Sequence, residues 1–173
     1  TSNRLYVDVG NDWYGYTAAG SYHEEDGVWH HIAIVGDSGT DVRVYIDRIL
    51  HPLELGVYNN YNVDVATYVT IGKYYINSDY EFGGAIQDFR VYKGVAKYTK
   101  NFIPASTNPD ILPDTPSGIA YGSQLAKAPV TDGAVSFDGT GDYLEVPKST
   151  DFDFPGEFTM EAWVYVNSYR VEN

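Results

Sequence analysis

Apolar and polar residues alternate with a period of two along most of this chain, and no stretch keeps helical periodicity for more than two turns. The clearest strands are Val28–Val35 and Asp41–Asp47, and Gly36-Asp37-Ser38-Gly39 between them reads as a hairpin turn. Arg4–Val9 and Trp13–Thr17 predict two earlier strands, separated by the turn chemistry of Gly10-Asn11-Asp12. Tyr68–Gly72, Gly84–Tyr92, Ala134–Asp138, Tyr143–Val146 and Phe158–Val166 bring the predicted strands to nine. Their spacing suits an antiparallel β-sandwich of the jelly-roll kind, so the expected fold class is all-β. Every uninterrupted apolar run is only a few residues long, too short for a transmembrane helix. The start, Thr1-Ser2-Asn3-Arg4-Leu5, reads as strand rather than signal peptide, and without an initiator Met the chain is expected to be a fragment or a processed product.

One region breaks the alternation. Residues 103–132 hold five of the eight prolines (Pro104, Pro109, Pro113, Pro116 and Pro129) among Ser, Thr, Asn and Gly. Proline cannot donate to a β-ladder, so this stretch reads as a linker between residues 1–102 and 133–173. Charge changes there too. Residues 1–102 carry 13 acidic and 8 basic side chains, a balance of -5, whereas residues 103–173 carry 11 and 3, a balance of -8.

Composition narrows the function classes. The chain has 173 residues, long enough for one self-supporting core, and its 17 Tyr against a single Met fit a β-protein. A net charge of -13 with no basic block makes nucleic acid an unexpected partner, because phosphate contacts need positive charge at the surface. Neither insertion into a membrane nor adhesion to an anionic one is expected. The absence of Cys removes disulfides, thiolate metal sites and a cysteine nucleophile.

Several segments together resemble the laminin-G-like domains of the concanavalin A-like lectin/glucanase superfamily. Gly27-Val28-Trp29-His30-His31-Ile32-Ala33 with Val42–Asp47 resembles the family's central hairpin, and Phe82–Tyr92 resembles its closing strand. The tail Lys93–Thr99 with Phe102-Ile103-Pro104 is similar to the version found in phage tail-fibre and virion proteins. Val135–Leu144 and Phe158–Val164 resemble the family's opening strands, yet here they come last. Three arrangements follow from that order. The chain is cut across two tandem repeats, or it is a circular permutant, or residues 133–173 complete the sheet of a neighbouring copy. The resemblance implies packing roles for Trp29 and Trp163. It also implies a virion-surface or extracellular location and a module used in adhesion or assembly.

Retaining glucanases of the superfamily place two glutamates and an aspartate along one strand face, and no Glu-x-Asp-x-x-Glu occurs here. His30 and His31 are neighbours in a strand, so their rings point to opposite faces and cannot chelate one ion. No enzyme activity is expected. Calcium is the candidate cofactor. Asp138-Gly139-Thr140-Gly141-Asp142 offers two carboxylates around a glycine turn, and the family resemblance implies that Asp88 lies alongside; the same segment also reads as a plain turn. For carbohydrate, Trp13, Tyr14 and Tyr16, then Tyr58, Asn60 and Tyr61, then Tyr74 and Tyr75 pair flat rings with nearby amides. Tyrosines of this kind also tile subunit contacts. The expected partner is therefore a host or cell-surface glycan, or other copies of the chain in a homo-oligomer built by strand exchange.

Overall fold

A computed structural model describes residues 5–9, 12–18, 20, 27–37, 41–54, 68–73, 81–102 and 133–168. Eleven strands appear in chain order: β1 (Tyr6–Val9), β2 (Asp12–Thr17), β3 (His30–Asp37), β4 (Asp41–Ile46), β5 (Ile49–His51), β6 (Leu53–Glu54), β7 (Tyr68–Ile71), β8 (Gly83–Lys93), β9 (Val135–Asp138), β10 (Leu144–Pro147) and β11 (Phe158–Ser168). One 3₁₀ turn, Thr150–Phe152, precedes β11; Ser149 caps it by accepting the Asp151 N–H. Among the described residues no helix is long and apolar enough to cross a membrane.

The nine predicted strands are present, with shifts at their ends. β3 runs on through Gly36 to Asp37, which pairs with Asp41, so two of the four expected turn residues belong to the ladder. β5 and β6, split by Pro52, were not predicted.

Six strands form one antiparallel sheet in the order β5-β4-β3-β11-β8-β9. β1, β2 and β6 form a second sheet, and β7 and β10 a short third. Val42, Val44 and Ile46 of β4, with Phe158 of β11 and Phe154, project from one face of the large sheet and bury against Val7 of β1. Leu5 and Leu53 pack on the same cluster, so the three-stranded sheet closes the core as the second layer of a β-sandwich.

Alternation explains which residues meet. In β4, Val42, Val44 and Ile46 take the inner face, while Tyr45 points outward beneath other chain. The outer face is not left to water. The segment after β8 crosses it as a strap, and Ala96, Tyr98 and Phe102 cover Ala33, Val35 and Tyr45.

The C-terminal strands occupy structurally central positions. β11 lies between β3 and β8, which do not pair with each other, β9 extends the sheet beyond β8, and β10 pairs with β7. Every strand described in residues 133–168 thus pairs with one from residues 1–102. A bulge interrupts β8, where Asp88 and Phe89 together face Ala162 alone. Asp88 adopts φ 57, a conformation Asp tolerates better than most side chains, and Arg90 grips its carboxylate with two hydrogen bonds of 2.7 Å. Further along β8, a side chain at Gly84 would overlap the Tyr165 carbonyl oxygen, so only glycine allows β11 this close.

Candidate functional site

The best-ordered chemistry lies on the outer face, where β3, β11 and the strap meet. Thr159, Glu161 and Trp163 alternate along β11 with the core-facing Phe158 and Met160, which places them on that face beside His31 of β3. Glu161 is only 4% exposed. Its carboxylate accepts from Lys97 Nζ at 2.6 Å and from Tyr98 O–H at 2.5 Å, and His31 Nε2 stands 3.5 Å away. Thr159 holds the strap backbone, with its hydroxyl accepting the Lys97 N–H at 3.0 Å and donating to the Val95 carbonyl at 2.9 Å.

Rings close the cluster from above. Tyr98 and Phe102 stack with centroids 3.4 Å apart, and His31 meets both edge-on as well as Trp163. Tyr45 donates its O–H to the Tyr98 carbonyl, and the Lys97 ammonium sits 4.3 Å above the Tyr92 ring. His31 Nδ1 is the one buried side-chain polar atom without a partner among the described residues.

These contacts set the charges. Burial pushes the Glu161 carboxyl up, but hydrogen bonds from His31, Lys97 and Tyr98 together with the Lys97 charge outweigh it and hold it at about 2. Burial, and then the bond to Glu161 and its negative charge, push the Tyr98 phenol well above its ordinary value. Both Glu161 oxygens are engaged within the protein, so this carboxylate anchors the strap. The opposite ring of the histidine pair does similar work: His30 Nδ1 lies 2.6 Å from Asp47 Oδ2, and Asp47 Oδ1 accepts the His31 N–H. The two imidazoles point to different faces, as the strand period requires.

The sequence-based candidates fall elsewhere. Asp138 and Asp142 share one turn: Asp138 Oδ1 accepts the Thr140 N–H at 2.7 Å, Asp142 Oδ2 accepts the Asp138 N–H at 3.2 Å, and Glu81 accepts the Gly141 N–H. Asp138 pairs with Gly83, and Asp88 lies five positions further along β8, roughly 16 Å of strand away, tied to Arg90. The first two aspartates are brought together and the third is not. Among the described residues, no group of three His, Cys, Asp or Glu side chains is placed to hold a metal ion.

Of the carbohydrate candidates, Trp13, Tyr14 and Tyr16 lie on β2, with Trp13 opposite Asp8 and Tyr16 between Tyr6 and Glu54. Tyr14 is the extra residue of a bulge beside Gly15 (φ 126), which breaks the alternation between Trp13 and Tyr16. Tyr16 is half-buried; the side chains of Trp13 and Tyr14 lie outside the described structure. Tyr58, Asn60, Tyr61, Tyr74 and Tyr75 fall outside the described residues.

Glu161, Lys97 and Tyr98 carry the clearest arrangement, and sequence reasoning did not single them out. The available signal was a glutamate at every-second spacing between Thr159 and Trp163 in a strand with an apolar opposite face. No curated protein and no solved structure matches the chain. A family model of the laminin G type, described as the concanavalin A-like lectin/glucanases superfamily, matches residues 1–97. That is more than half of a chain whose structure is an antiparallel β-sandwich, and the protein belongs to this family.

Proposed function

We propose that this protein is a non-catalytic surface module, carried on a virion or in an extracellular fibre, that adheres to its target by binding carbohydrate. The observation that carries this reading is membership of a superfamily of lectins and glucanases. The sequence lacks the alternating carboxylates that the glucanase branch uses, which favours the lectin side. The binding surface is proposed at the aromatic segments. Trp13 stands next to the β2 bulge, and bulges commonly re-aim a side chain at a site. Flat rings of Trp and Tyr suit the apolar faces of sugars, and the amides of the 58–62 segment suit their hydroxyls.

The test is a glycan array probed with the wild-type chain and with Trp13→Ala. Wild type is expected to retain a restricted set of glycans, and the variant to lose at least tenfold in signal at an unchanged far-UV thermal midpoint. An array on which wild type binds nothing refutes carbohydrate binding. Release of reducing sugar from a retained glycan refutes the non-catalytic assignment.

A further inference from the structure

We propose that the outer face of the large sheet, beyond the strap, carries a further carbohydrate-binding site: a shallow platform for an uncharged pyranose, built on Trp29, Trp163 and Tyr165. It rests on the carbohydrate-binding reading above but places the contact on a different surface from Trp13. The strand registers fix its layout. On β11, Trp163 lies opposite His31 of β3 and Gln87 of β8, and Tyr165 lies opposite Ala85, itself opposite Ser136 of β9. Directly opposed residues share a face, so these side chains stand on the same side of the sheet as Glu161. Trp29 joins them, its ring centroid 5.6 Å from that of Tyr165.

The strap covers Ala33, Val35 and Tyr45 and reaches as far as His31, whose ring meets both Phe102 and Trp163. Beyond it Trp29, Trp163, Tyr165, Gln87 and Ala85 are half-buried and Ser136 is exposed. Two polar groups among these rings are unengaged: among the described residues, neither the Gln87 amide nor the Tyr165 hydroxyl makes a hydrogen bond. A tyrosine hydroxyl set among rings ordinarily finds a partner. Ala85, small between Tyr165, Gln87 and Ser136, leaves a hollow at the centre.

That mixture specifies the occupant. The rings call for C–H surface, while the amide and the two hydroxyls call for donors and acceptors at its rim, as the faces and edges of a pyranose supply. A purely apolar partner would cover those polar groups without hydrogen bonds. Charge selects among sugars. The next charged side chains along β8, Asp88 and Arg90, are paired with each other at 2.7 Å, and the net charge of -13 disfavours an anionic ligand.

Full-length wild type, Gln87→Ala, Tyr165→Phe and Trp13→Ala are applied to a glycan array carrying uncharged glycans beside sialylated and sulfated ones. Gln87→Ala and Tyr165→Phe remove only groups that bond nothing in the protein, so the far-UV thermal midpoint should stay in place. For at least one uncharged glycan, each should lose about three- to tenfold in signal, the range of one hydrogen bond to the ligand. That loss with Trp13→Ala unchanged upholds the platform and removes binding from Trp13; loss by all three upholds both surfaces. If Gln87→Ala and Tyr165→Phe retain every glycan as wild type does, the platform is wrong, and loss by Trp13→Ala alone leaves the other surface standing. Retention confined to sialylated or sulfated glycans also overturns the platform, and an array on which wild type binds nothing overturns both.

Discussion

Replacing Glu161 with Gln keeps the shape of the side chain and removes its charge, so it isolates what the anchor contributes. The carboxyl is held at about 2 against an ordinary 4.5, a gap of about 2.5 pH units. At about 1.4 kcal/mol per unit, ionisation of this one group stabilises the fold by about 3 kcal/mol at neutral pH. Little is lost to solvent screening, since the side chain is 3% exposed. Because the folded value lies below the unfolded one, the contribution is complete above pH 4.5 and drains away as pH falls toward 2. By pH 3 about half of it remains. Glutamine has no such titration, and it leaves the Lys97 ammonium facing an amide. Urea unfolding at pH 7 and pH 3, followed by tyrosine and tryptophan fluorescence, measures both quantities. The gap between wild type and E161Q should be about 3 kcal/mol at pH 7 and should shrink by about half at pH 3. A gap below 1 kcal/mol at pH 7, or one that does not change between the two, would refute the assignment of Glu161 as a charged anchor.

Other substitutions probe neighbouring links. Tyr98→Phe removes the O–H that Glu161 accepts at 2.5 Å but leaves the stack on Phe102; a loss of about 2 kcal/mol in urea unfolding is expected, as for hydrogen bonds to charged groups. Gly84→Ala forces a methyl group into the Tyr165 carbonyl and the Phe82 ring, and should cost more than about 2 kcal/mol, visible as a lower thermal midpoint. Phe158→Ala empties a fully buried position between Phe154 and the β4 valines, and should destabilise by about 4 kcal/mol by the same measurement.

How much of this was legible in the sequence differs by element. β3, β4 and β11 were: β4 and the first half of β11 alternate, as in Asp41 to Val44 and Phe158 to Ala162, whereas β3 is apolar without a break from Ile32 to Val35 because the core covers one of its faces and the strap the other. β5 and β6 were not. Strands of three and two residues around Pro52 carry no periodic signal, and they exist because β4 and β2 offer open edges to pair with. The Asp88 bulge was equally hidden, since its positive φ is imposed by the register of β8 on β11 and sustained by Arg90.

The anchor shows where local reading stops. Alternation places Glu161 on the face opposite the core, and a glutamate on that face ordinarily meets water. It is buried here because a strap 64 positions earlier in the chain crosses the sheet and brings Lys97 to it. The strap itself was visible as a family-like segment, but nothing in its residues names the strand it crosses. That strand comes from the part of the chain beyond residue 132, so the N-terminal part owns the ammonium, the phenol and the imidazole, and the C-terminal part owns the carboxylate that satisfies them. Each part alone exposes an incomplete sheet and an incomplete charge set, and the same few contacts repair both. Closure of the sheet by β11 therefore also completes the charge set beneath the strap.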